Sequence, residues 1–190
     1  NLGDQIEQNM SILFSDIREF TATSEKLSPE QNFKFINDYL EIMVPIVRKN
    51  NGFVDKFIGD AVMANFGTPK SHGNDAQNAF DCAILMNEKL SEWNKKREDD
   101  GLAKITHRIG IHYGPCVVGN MGSEQRVEFA IIGDVVNVAS RICDACKKFD
   151  TNFLISSDLA DRINISNHQE TVSNFVIRGR NEPIDLVKIY

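Results

Sequence analysis

Phe53-Val54-Asp55-Lys56-Phe57-Ile58-Gly59-Asp60-Ala61-Val62-Met63-Ala64-Asn65-Phe66 is the stretch on which the fold turns. Residues 53–58 and 61–66 are two short apolar-rich runs, and Gly59-Asp60 between them is a tight turn of the Gly-X kind, so the stretch predicts a β-hairpin. Helical patterns flank it on both sides. Upstream, Ser28 is a good N-cap, Pro29 suits the first helical position and Gln31 completes a capping box. Ile36, Leu40, Met43 and Val47 then recur at helical spacing as far as the Asn51-Gly52 stop, with a kink expected at Pro45. Downstream, a second helix is expected from about Asp75 to Lys96, with Ala76, Ala79, Ala83, Met86, Leu90 and Trp93 on its inner face.

Further out, Met10 to Ser15 reads as a buried strand, followed by a turn through Asp16-Ile17-Arg18-Glu19-Phe20-Thr21. Ile105 to Tyr113 and Cys116 to Asn120 predict another hairpin, and Glu128 to Ile132 a short strand. Gly133-Asp134 opens a third helix running to about Phe149. The tail from Phe153 to Tyr190 mixes strands with one short helix near 157–162. Strands that come in hairpins between helices imply an α/β (α+β) chain with a mixed or antiparallel sheet and helices packed against it. They exclude a doubly wound parallel sheet, and neither a Gly-x-Gly-x-x-Gly fingerprint nor a P-loop lysine motif is present.

The 190 residues suit one compact domain, with residues 1–9 expected as a loosely ordered connector and residues 10–190 as the domain proper. Twenty-one basic against 27 acidic residues leave a net charge of −6, which argues against nucleic acid or an anionic membrane as the main partner. No apolar run approaches the ~20 residues of a membrane span, and no signal-peptide pattern opens the chain. The start at Asn1 suggests an excised domain, so a membrane-bound parent stays open. Cys143-Asp144-Ala145-Cys146 has metal-like spacing, but no second pair follows and it falls in a helical apolar pattern. Cys82, Cys116, Cys143 and Cys146 are therefore expected as free, buried thiols.

Asp16 ends a strand and Asp60 occupies a hairpin tip, a placement that can hold Mg²⁺ through hard oxygen ligands. Taken by themselves they read first as two surface turn aspartates. In the third helix Asn137 and Arg141 are four apart and share a face, opposite Val138, Ile142, Ala145 and Phe149. Both can reach a phosphate, Arg141 through its planar fork of donors, although a solvated polar face has the same pattern.

These pieces occur in one order. Leu13-Phe14-Ser15-Asp16-Ile17, Asp55-Lys56-Phe57-Ile58-Gly59-Asp60-Ala61, Arg108-Ile109-Gly110-Ile111-His112-Tyr113-Gly114 and Ile132-Gly133-Asp134-Val135-Val136-Asn137-Val138-Ala139-Ser140-Arg141 resemble the class III adenylyl and guanylyl cyclase catalytic domain. The likeness extends to Phe175-Val176-Ile177-Arg178-Gly179 and covers the chain from about Ser11 to Tyr190. It is nearest to bacterial homodimeric adenylyl cyclases.

The resemblance implies a ferredoxin-like sheet core and a cytoplasmic catalytic domain that makes cyclic AMP and pyrophosphate from ATP. Asp16 and Asp60, with the backbone carbonyl of Ile17, would bind two divalent metal ions, Mg²⁺ or Mn²⁺. Asn137 would orient the ribose and Arg141 would stabilise charge on the α-phosphate. Arg178 matches a triphosphate-binding position, Arg126 assists, and the turn through Phe20 and Thr21 offers backbone N–H groups to the phosphates. Lys56, a donor-only side chain, would pair with adenine N1, where guanylyl cyclases usually carry Glu. Ala130 stands where relatives that make cyclic AMP place Asp or Thr, so ATP is expected to be preferred over GTP less strictly than usual. Glu19 stands where relatives often have Gly. His112 is read as structural. The resemblance further implies a head-to-tail homodimer with composite sites, the metal aspartates coming from one subunit and Lys56, Asn137 and Arg141 from the other. A guanylyl cyclase, a non-catalytic nucleotide-binding module and a structural dimerisation module are the alternatives.

Overall fold

A computed structural model describes residues 2–190. One long strand organises it. β1 (Gln5–Ile17) pairs antiparallel with β4 (His107–Ser123) along its whole length, from Gln5 opposite Gly119 to Ile17 opposite His107. On its other side β1 receives the hairpin of β2 (Phe53–Ile58) and β3 (Ala61–Phe66), with the register Ser11–Phe66 to Ser15–Val62. β6 (Phe153–Ser156) adds parallel to β4, and β8 (Ile184–Ile189) and β7 (Gln169–Phe175) extend the sheet antiparallel. β5 (Arg126–Ile132) folds back on the far half of β4 as an arm. The eight-stranded mixed sheet runs β2-β3-β1-β4-β6-β8-β7, with β5 off this path.

Helices cover both faces because β1 and its neighbours are apolar on both. Leu13 and Ile17 point to the side of α2 (Pro29–Lys49) and α3 (Asp75–Asp99), where Tyr39, Met43, Val47, Ala79, Ala83 and Met86 close the larger core. Met10, Ile12 and Phe14 point the other way, against Val135, Ala139 and Cys143 of α4 (Asp134–Lys148). The approach of α4 depends on Gly110, since a Cβ there would overlap the backbone of Cys143. The Ser28–Gln31 capping box is present in both directions, an arrangement worth about 1 kcal/mol, and α2 continues through Pro45 to Lys49. A buried polar relay ties α2, β4 and α3 together: Tyr39 Oη lies 2.9 Å from His107 Nδ1, and His107 Nε2 lies 2.7 Å from Asn87 Oδ1. The carbonyl of Asn87 can only accept, so Nε2 carries the ring proton and Nδ1 accepts from Tyr39. All four cysteines are free and buried.

Two expectations are corrected. Residues 105–113 and 116–120 are not a hairpin, because β4 runs unbroken through Gly114-Pro115. Between the partners β6, whose pairing stops opposite Ile111, and β5, whose last residue Ile132 lies opposite Val117, that side of β4 has no neighbouring strand among the described residues. A proline without an N–H is tolerated in such a gap. The reversal comes later, at Glu124-Gln125 between the paired Ser123 and Arg126. Residues 5–9 are not loosely ordered either: polar as they are, their backbone is held by β4. α1 (Phe20–Ser24) and α5 (Ser157–Ala160) are single turns.

Candidate active site

The register sets the site. β1 ends with Asp16 opposite Arg108, and the β2–β3 turn brings Asp60 to the same corner, because Ser15 pairs with Val62. Gly59 takes the left-handed φ of 61° that this turn needs. The Ile17 N–H then donates to Asp60 Oδ2 at 3.0 Å, and the Arg108 fork grips Asp16 at 2.9 and 3.1 Å. Burial raises the Asp16 carboxyl above its ordinary value, and Arg108 offsets only part of that rise. Asp16, Ile17, Phe20, Thr21 and Asp60 thus share one cavity of about 340 Å³, with Arg18, Glu19, Arg108 and Lys147 completing its wall. The Asp16 and Asp60 carboxylates and a strand-end carbonyl suit a hard cation that keeps water and takes further oxygens from phosphates, while Glu19 stands on the rim. Among the described residues no group of three or more His, Cys, Asp and Glu forms a self-sufficient metal cage.

The connection to α1 explains one departure noted in the sequence. Glu19 precedes α1 with φ 55° and ψ 30°, a left-handed conformation that favours glycine. Its side chain is exposed on the cavity rim.

Arg141 and Arg178 meet elsewhere, in a second cavity of about 270 Å³ with Asp144, Lys148 and Phe175. Asn137 lies one turn before Arg141 on the exposed face of α4, while Val138, Ile142 and Ala145 are buried beneath, as the helical pattern predicts. Lys56 is exposed on β2, 3.4 Å from the Asp55 carboxylate. Arg126 and Ala130 share a face of β5, where Arg126 pairs with Glu128. None of these four lines either cavity. The sequence-predicted residues therefore fall into separate groups, with no residue common to the two cavities.

His112 is buried with Nδ1 at 2.8 Å from Ser156 Oγ, and burial pushes its pKa down to about 4. Ser156 accepts the Leu159 N–H and so has its hydroxyl proton free for the imidazole, which fits a structural part. Arg108 is a site residue that the sequence alone does not single out. Its signal, a charged residue at the start of an apolar strand, gains meaning only from the register that sets it opposite Asp16.

Large apolar side chains also stand exposed on β2 and β5. Phe57 (51% exposed) and Ile58 (54%) on β2, and Val127 (49%), Phe129 (44%) and Ile132 (57%) on β5, are uncovered. Such a concentration on a hairpin and an arm is what a protein interface leaves on an isolated chain.

Residues 3–185 match the family described as the adenylate and guanylate cyclase catalytic domain. An adenylate cyclase of Anabaena cylindrica is 36% identical over 99% of this chain, and the chain spans 38% of that relative's length. The crystal structure of the adenylyl cyclase CyaB from P. aeruginosa superposes with a TM-score of 0.88 at 31% identity, covering 98% of this chain and 96% of that one. That of the guanylyl cyclase Cya2 gives 0.84 at 33% identity, covering 97% and 92%.

Proposed function

This chain belongs to the adenylate and guanylate cyclase catalytic-domain family, and we propose that it converts ATP to 3′,5′-cyclic AMP and pyrophosphate as a head-to-tail homodimer. The observation that carries the reading is the separation just described. Asp16 and Asp60 converge on one cavity and Arg141 and Arg178 on another, so a working site needs both halves from two chains. The exposed apolar side chains of β2 and β5 are the surface on which the second copy would dock, in an isologous two-fold arrangement.

Asp16, Asp60 and the carbonyl of Ile17 would hold two Mg²⁺ or Mn²⁺ ions. Such ions, when bound, neutralise triphosphate charge and acidify the ribose 3′-hydroxyl. The N–H groups of the turn through Phe20 and Thr21 face the phosphates, and Arg108 adds charge to the same wall. From the other chain Asn137 orients the ribose, while Arg141 stabilises the charge that develops on the α-phosphate. Aimed donors of this type contribute about 3–4 kcal/mol. Arg178, with Arg126 assisting, binds the triphosphate. The 3′-hydroxyl gives its proton to solvent, its oxygen bonds to the α-phosphorus as the bond to the β-phosphate bridge breaks, and pyrophosphate leaves.

Lys56 donates to adenine N1, an acceptor that guanine lacks at that position. Ala130 offers no side-chain acceptor for the 6-amino group, which costs about 1–3 kcal/mol of discrimination. That feature favours a second reading, guanylyl cyclase activity, and the two separate in one assay. Purified domain at high protein concentration, with Mg²⁺ or Mn²⁺, is expected to make cyclic AMP faster than cyclic GMP, and Asp60→Ala is expected to abolish both. Faster cyclic GMP formation would favour the second reading, and no product from a confirmed dimer would refute the enzyme.

A further inference from the structure

We infer that Lys147 is a polyphosphate-binding residue of the same half-site as Asp16 and Asp60, contacting the β/γ-phosphates and the departing pyrophosphate. The inference deepens the cyclase reading and rests on it. Three observations converge.

The first is how α4 is seated. Gly110 lets the helix press its Cys143 backbone onto β4. The Cys143 thiol meets the Arg108 carbonyl, and the Cys146 thiol the Ile109 carbonyl, each at 3.6 Å. The last turn of α4 is therefore fixed beside the strand that presents Arg108, and the position of Lys147 is set by backbone packing rather than by its own side chain.

The second is direction. Asp144 and Lys147, three apart, share one face of α4. Asp144 sits between the two cavities, lining that of Arg141 and Arg178 while its charge acts on Asp16, and Lys147, one turn on, lines the cavity containing Asp16, Asp60 and Arg108. The adjacent Lys148 turns away, its ammonium 5.5 and 5.7 Å from the rings of Phe149 and Phe175. Of two consecutive lysines, one faces the phosphate turn.

The third is the state of the cations. Arg108 has its fork on Asp16, and Arg18 donates to Asn152 Oδ1 at 2.8 Å. The Lys147 side chain makes no hydrogen bond or ion pair among the described residues and is exposed. It is the cation of this wall free to take a ligand, on a flexible arm suited to a terminal phosphate. Glu19, exposed on the same rim, adds a negative charge that would repel the polyphosphate and that Lys147 offsets. A lysine in the last turn of a helix also stabilises the helix dipole, and the test must separate the two roles.

Inorganic tripolyphosphate with Mg²⁺ is the probe, since it carries the polyphosphate without base or ribose. Calorimetric affinity and competitive inhibition constants are measured for the wild type, Lys147→Gln, Lys147→Arg and, as a charge-matched control on α3, Lys89→Gln. Lys147→Gln is expected to bind the probe about tenfold more weakly, with KM for ATP rising more than kcat falls, as loss of one charge-assisted contact predicts. Lys147→Arg should recover most of the affinity, and Lys89→Gln should match the wild type. A role confined to the helix dipole would lower thermal stability and leave the affinity unchanged. Equal affinity in wild type and Lys147→Gln, or a wild type that does not bind the probe, overturns the assignment. Lys147-dependent binding without cyclic nucleotide production would keep the assignment and refute the cyclase reading alone.

Discussion

The separation of the two half-sites makes a quantitative demand on mixed dimers. Asp60→Ala removes a carboxylate from the cavity built on β1, and Arg141→Ala removes one cation from the cavity built on α4. In the proposed homodimer, either variant alone leaves both composite sites defective. Loss of an aimed donor worth about 3–4 kcal/mol leaves roughly 10⁻² to 10⁻³ of the rate. When the two variants are mixed in equal amounts and exchange freely, about half of the dimers are mixed. In each of these, one site carries both lesions and the other carries neither, so about a quarter of wild-type activity returns. That lies far above the level of either variant. The assay is cyclic nucleotide formation from ATP against mixing ratio, with subunit exchange checked by pull-down of differently tagged chains. The optimum should fall at equal proportions. A mixture that exchanges subunits yet stays at the level of the single variants would refute the composite site. So would wild-type activity from a chain shown to be monomeric.

Acid should weaken the fold through two histidines. Burial lowers His107 and His112 to about 4, so between pH 6.5 and 4 the unfolded chain holds more protons than the folded one. Stability is complete above about pH 7 and falls with decreasing pH, by ~3 kcal/mol for each histidine at the lower end. Denaturant midpoints at pH 7 and pH 5 read this out, and His107→Gln should flatten the dependence. Glu19→Gly should relieve the left-handed strain at φ 55°. Relief of ~1–2 kcal/mol, offset by about 0.5–1 kcal/mol of added chain entropy, predicts a net gain on the order of 0.5 kcal/mol. Removal of the rim charge should also lower KM for ATP about two- to threefold, whereas a loss of stability would show that the Glu19 side chain contributes contacts of its own.

Much of this domain was legible as a string because its signals are local. Ser28-Pro29-Gln31, the Gly59-Asp60 turn and the period of Val138, Ile142 and Ala145 act within a few residues, and each element they mark is present. The motif blocks named the site residues by resemblance, but no spacing could say which of them meet. Local signals also misled where a neighbour decided the outcome. Gly114-Pro115 reads as a turn in isolation and stays extended in β4 because β1 pairs along its whole length and the opposite side is open there. Gln5 to Asn9 lack an apolar pattern and become strand because β4 supplies partners for their backbone. The sequence by itself determined the helices, the β2–β3 hairpin and the residue types available for chemistry, since these follow from backbone preference and periodicity over short range. Only the tertiary structure decided that Arg108 grips Asp16, that Ile17 donates to Asp60, that Lys147 faces the cavity while Lys148 does not, and that Arg141 and Arg178 form a separate group. Those pairings depend on strand register and on how closely α4 packs over Gly110, and both are settled by contacts between residues far apart in the chain.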